Sequence, residues 1–69
     1  MTVEEIGRHI RAERKRQGVT QLELSQAADV GRRFVVELEN GKETVHVGKM
    51  LKVLDILGID FKLLDAKGF

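Results

Sequence analysis

Arg32 and Arg33 stand side by side at the head of a short amphipathic run, directly after the turn-prone Asp29-Val30-Gly31. A guanidinium is a planar fork of donors that matches the O6 and N7 acceptors of guanine in the DNA major groove. Adjacent arginines in the first turn of an exposed helix therefore offer base recognition. Such a pair is just as often solvated surface, and spacing alone leaves the two readings level. The rest of the polar inventory offers catalysis little. Ser25 is the sole serine and has no histidine near it in sequence, so a hydroxyl nucleophile lacks its base. His9 and His46 are separated by most of the chain, and with no Cys a zinc site would need carboxylates at spacings that are not there. Glu4 and Glu5 are explained by the dipole of a helix first turn, and no glycine-rich phosphate cradle occurs. No catalytic residue, metal or cofactor is expected, and the protein is read as a non-enzyme.

The elements that would carry the arginines follow from capping and periodicity. Thr2 with Glu5 and Thr20 with Glu23 are two capping-box patterns, each opening a helix. The first helix is expected over residues 3–17, with Val3, Ile6 and Ile10 at helical spacing and Gly18 as its stop. Arg8, Arg11, Lys15 and Arg16 fall mostly on other faces, where Glu4, Glu5 and Glu13 make an ordinary charged exterior the better reading. The second helix is short, residues 21–28, with Leu24 and Ala28 inward. The third runs over residues 32–40, with Val35 and Leu38 on one face and Gly41 ending it. Residues 42–48 read as a loop in which 44–47 alternates enough for a brief extended piece. A fourth helix over residues 47–57 carries the dense stripe Met50, Leu51, Val53, Leu54 and Leu57, closed by Gly58. After it, Ile59, Phe61 and Leu63 share one face if the chain is extended, while Leu64 breaks the alternation. Strand and a single helical turn both fit, and the exchanged strand is preferred because a core this small gains most from a partner.

Composition bounds the rest. Sixty-nine residues, 42% apolar and 33% charged, make one domain over 1–69 with no linker or repeat. No run reaches the roughly 20 apolar residues of a bilayer span, and no signal-like segment follows Met1, so a cytoplasmic location is expected and a membrane partner is not. Without Cys, oligomerisation is the remaining support for a small core, and a dimer is expected. A net charge of +1 predicts no polyanion by itself, and the lack of Trp and Tyr leaves three Phe for base stacking, which disfavours single strands.

The residues also carry a resemblance. Thr20-Gln21-Leu22-Glu23-Leu24, followed by Val30-Gly31-Arg32-Arg33-Phe34-Val35-Val36-Glu37-Leu38-Glu39-Asn40-Gly41-Lys42, resembles the helix-turn-helix core of the Cro/C1 (XRE) repressor family, with the motif over about 20–41. The ending, Leu57-Gly58-Ile59-Asp60-Phe61-Lys62-Leu63-Leu64-Asp65-Ala66-Lys67, is similar to the C-terminal part of HipB-like antitoxins, with a dimerisation segment over about 59–66. The resemblance implies an all-α, lambda-repressor-like domain of four helices with a short C-terminal β-strand pairing across a homodimer through Ile59, Phe61, Leu63 and Leu64. It further implies a repressor of palindromic double-stranded operator DNA, with a HipA-like kinase toxin as partner. A stand-alone repressor, or an interaction module working through Leu22, Phe34 and the C-terminal strand, are the alternatives. Residue by residue, the resemblance places Arg32, Arg33, Val36 and Glu37 against base edges. Gln21, Asn40, Lys42 and Lys49 fall on the sugar-phosphate backbone, and Arg14 pairs with Glu39 between helices. Two positions depart from the pattern: Asp29 stands where Gly is usual in the turn, and Ser25 where Ala is usual in the second helix. Asp tolerates left-handed backbone, and Ser is nearly as small as Ala.

Overall fold

A computed structural model describes residues 2–60, which form four helices: α1 Val3–Arg16, α2 Gln21–Ala28, α3 Arg32–Glu39 and α4 Val47–Leu57. Both capping boxes are present. The Glu5 amide donates to the Thr2 hydroxyl at 3.1 Å and the Thr2 amide to the Glu5 carboxylate at 3.3 Å. The Glu23 amide donates to the Thr20 hydroxyl at 3.0 Å and the Thr20 amide to the Glu23 carboxylate at 2.9 Å. Each box satisfies donors that a helix start otherwise leaves to water, so both starts fall where the sequence puts them.

Two helices end one residue earlier than expected. Gln17 and Asn40 are C-caps rather than helical residues, because Gly18 and Gly41 turn the chain into left-handed backbone just behind them. At Gly41 space matters as well, since an added Cβ would stand 2.8 Å from Cγ of Glu4. The α2–α3 turn uses Asp29 at φ 54°, ψ 49°, the left-handed conformation that Asp adopts more readily than most residues. Residues 44–47 form no strand. His46 instead caps α4, its Nδ1 accepting from the Lys49 amide at 3.2 Å.

The core is one cluster: Ile10 from α1, Leu24 and Ala28 from α2, Val35 and Leu38 from α3, and Met50, Val53, Leu54 and Leu57 from α4. Full burial of a side chain such as Leu24 or Leu38 stabilises by about 1.5–3 kcal/mol. Leu51, expected in the α4 stripe, is exposed, because at helical pitch it lies about 100° from the centre of the arc that the four buried residues define. α1 crosses α3 closely at Gly7, where a Cβ would collide with the carbonyl oxygens of Leu38 and Glu39. Gln17 joins the far ends of α1 and α4, its amide donating to the Leu57 carbonyl at 2.8 Å. Ile59 is half-buried against the same core. Ile59 and Asp60 carry no strand, and the rest of the expected pairing segment, with Phe61, Leu63 and Leu64, lies outside the described residues. Among the described residues no helix is long and apolar enough to cross a membrane.

Candidate nucleic-acid interface

The side chains of α3 divide by pitch. Val35, Leu38 and Glu39 are buried, and Phe34 packs against the core from its edge. The remaining arc holds Arg32, Val36, Asn40, Arg33 and Glu37 in angular order, so the four expected base-reading positions and one expected backbone position share a face. Arg32 is exposed, and 90% of the Arg33 side chain is open to solvent. Gly31 caps α3 without a side-chain hydrogen bond. The first-turn amides therefore point outward uncapped, and their partial positive charge adds to that of the two guanidinium groups.

The outward arc is not purely basic. Glu37 accepts from Lys42 Nζ at 3.0 Å, and its Oε2 lies 3.7 Å from Nε of Arg33. The Lys42 hydrogen bond, with smaller help from Arg33, holds the Glu37 carboxyl below the usual carboxylate range, so it is ionised at neutral pH. Lys49 sits with Nζ 5.9 Å from the centroid of Phe34, a cation–π distance that sets its ammonium beside the base of α3.

Behind this face a buried cluster fixes α3. Arg14 Nε donates to Glu39 Oε2 at 2.6 Å and its Nη2 to Oε1 at 3.1 Å, while Nη1 donates to the Val19 carbonyl at 2.9 Å. Gln21 adds a fourth bond, its amide donating to Glu39 Oε1 at 3.2 Å. One carboxylate thus ties the end of α3 to α1, and its partners tie both to the α1–α2 connection and the first residue of α2. Every buried side-chain polar atom among the described residues has a partner, which is the condition for a buried charge pair to be tolerable. Gln21, expected on the sugar-phosphate backbone, donates one amide hydrogen inward to Glu39. Ser25 is buried and its hydroxyl donates to the Leu22 carbonyl at 2.7 Å, which accommodates the departure from Ala without an unsatisfied group. Arg8, Arg11, Lys15 and Arg16 are exposed on α1, with Arg16 paired to Glu13. No metal-binding group of acidic, His or Cys residues occurs among the described residues.

Three positioning residues escaped the sequence reading. Gly7 sits inside an otherwise helical pattern, where a Gly costs about 1 kcal/mol against Ala and so signals a packing reason. Gln17 and His46 carry no such signal, because a bond from Gln17 to α4 spans 40 residues of sequence and His is an uncommon cap.

Two helices joined by a three-residue turn, the second held from behind and open in front, define a helix-turn-helix domain. The chain belongs to the helix-turn-helix family HTH_3, whose model matches residues 10–64. It is 46% identical over 63 residues to the HTH-type transcriptional regulator y4mF of Sinorhizobium fredii, an alignment covering 91% of this chain and 83% of the relative. Two solved structures share the fold at 22% identity, each aligned over 97% of this chain and 94% of the other. One is a chain of a HipB-O4 20mer complex, at a TM-score of 0.84. The other is described as MDT Protein, at 0.85.

Proposed function

We propose that the protein is a transcriptional repressor that binds palindromic double-stranded operator DNA as a homodimer, with α3 in the major groove. The observation that carries this reading is the open arc of α3, on which Arg32 and Arg33 project from the start of a helix whose far end is anchored by Arg14 and Glu39. Arg32, Arg33, Val36 and Glu37 read base edges, with Val36 against a thymine methyl and Glu37 accepting from cytosine N4. Gln21, Asn40, Lys42 and Lys49 contact the phosphates and set register. Two copies of α3 about 34 Å apart would occupy successive major grooves of one palindrome.

The dimer forms through residues 59–66, in which Ile59, Phe61, Leu63 and Leu64 exchange a strand. The second partner is a HipA-like kinase toxin, which makes the protein an antitoxin that regulates its own operon. The shared fold of the HipB chain supports these readings. Selection from a random duplex pool tests the first. Bound sequences should converge on a palindrome, and Arg32→Ala or Arg33→Ala should cost about 1–3 kcal/mol and relax preference at one base pair. Equal binding of the wild type and both variants to every duplex would sink it. Truncation before Asp60 tests the dimer: the shortened chain should sediment as a monomer and lose most operator affinity. A kinase reading frame beside this one, whose product co-purifies with the chain, tests the toxin.

One observation favours a second reading. Leu22 on α2 is 49% exposed where a solvent-facing helix position is ordinarily polar, which suits a protein-interaction module without specific DNA binding. Equal binding of the wild type, Arg32→Ala and Arg33→Ala to every duplex, with no sequence preference, would favour it.

A further inference from the structure

Glu37 is a puzzle for a surface meant to meet a polyanion. It places a carboxylate between Arg33 and Lys42, the two cations nearest to it, on the arc that faces outward. The buried anchor of α3 is Glu39, whereas Glu37 keeps a third of its side chain open to solvent and pairs only with exposed cations, so it is no part of that anchor. Its effect on DNA approach follows from charge. A fixed negative charge repels phosphates over a distance comparable to the Debye length, and each cation engaged with Glu37 must leave it before it can neutralise a phosphate. Arbitrary DNA offers nothing in return for that exchange. A base edge with an exposed amine does, because the amine can take the place of Lys42 as donor to the carboxylate and leave the lysine free for the backbone.

We propose that Glu37 sets specificity by holding Arg33 and Lys42 away from the phosphates of non-cognate DNA and releasing them where a cytosine amine replaces them. The inference rests on the DNA-binding reading above and deepens it: the residue works as much by weakening wrong complexes as by contacting the right one. Arg33 and Lys42 are then conditional contacts, and their contribution to affinity depends on the base opposite Glu37.

The test compares Glu37→Gln, an isosteric change, with Glu43→Gln, which alters net charge equally at an exposed residue that has no ion pair among the described residues. Binding of a short mixed-sequence duplex is followed by fluorescence anisotropy between about 50 and 200 mM salt. Glu37→Gln should tighten binding about three- to tenfold at the low-salt end and steepen the salt slope by about one to two ions, while Glu43→Gln shifts affinity no more than about twofold. Adding Lys42→Gln to Glu37→Gln should remove most of the gain, and Lys42→Gln alone should weaken the selected duplex, where that lysine is released to the backbone, more than the mixed one. For a duplex selected by the wild type, Glu37→Gln should narrow the ratio of selected to mixed affinity. If wild type binds and the two glutamine variants behave alike, or Glu37→Gln binds mixed DNA more weakly, this inference falls and the DNA-binding reading stands. If the wild type binds no duplex at low salt, both fall. Unchanged thermal melting of Glu37→Gln establishes that the comparison is between folded proteins.

Discussion

The helix α3 carries two arginine–glutamate constellations within a few residues of one another, and they do opposite work. The inner one joins Arg14 to Glu39 by two hydrogen bonds, adds Val19 and Gln21, and leaves the Arg14 and Glu39 side chains only 10% and 2% exposed. The outer one holds Arg33 3.7 Å from Glu37, beyond hydrogen-bond reach, with most of the arginine in water. In the inner cluster each charge has lost its water, so removing a partner leaves a cost that nothing repays. In the outer cluster water and salt compete with every contact, so the groups are loosely held and free to exchange partners. The same two residue types therefore build a fixed anchor at one place on the helix and an adaptable surface at another, and burial together with pairing geometry separates them.

Breaking the anchor should give the largest effect. Glu39→Ala strands the Arg14 guanidinium and should lower unfolding free energy by about 3–5 kcal/mol in a urea titration, enough to unfold a domain of this size. Arg14→Lys keeps the charge but not the fork or the bond to Val19, and should fall between wild type and that loss. A milder test of the inner side is Gly7→Ala. It forces α1 from the backbone of α3 and should cost about 1–3 kcal/mol, read by thermal melting, although Ala is the better helix former. If the melting temperature instead rises, the close crossing at Gly7 is wrong.

On the outer side the pattern should invert. Arg33→Ala is expected to leave stability within about 0.5 kcal/mol of wild type while operator affinity drops, so calorimetry and DNA titration should move independently. The smallest effect concerns acid. Glu13 is lowered from 4.5 to about 2, chiefly by the hydrogen bond from Arg16 and then that from Gln17. Glu23 is lowered by the Thr20 backbone and Glu37 by Lys42. A carboxyl depressed on folding stabilises fully above its unfolded value and loses that contribution as pH falls through its folded one. Stability should thus be level above about 5 and decline gently between 4.5 and about 2. Glu13→Gln should flatten that decline, and a steep loss already at pH 6 would mean that other groups control it.

Much of this molecule is legible in its sequence for a physical reason: its helix starts and its turn depend on contacts within a few residues, and most of its core is marked by periodicity within single helices. Thr2 and Thr20 each meet a glutamate three positions on, and Gly18 and Gly41 interrupt regular periodicity. The outward placement of Arg32, Arg33, Val36 and Glu37 is legible too, since Val35 and Leu38 fix the opposite face. Leu51 is exposed although its spacing reads as part of the stripe, because an apolar residue beside a stripe cannot be told from its edge until the neighbouring helices define that edge.

The sequence by itself determined four helices, a tight turn between the middle two and an arginine pair at the head of the third. Each follows from local hydrogen bonding and from which side chains avoid water. Tertiary structure alone decided how closely α1 meets α3 over Gly7, that Gln17 reaches the Leu57 carbonyl at the end of α4, and that Gln21 joins Arg14 at the Glu39 carboxylate. Those outcomes depend on distances between elements, and such distances are set by packing, which no local pattern records.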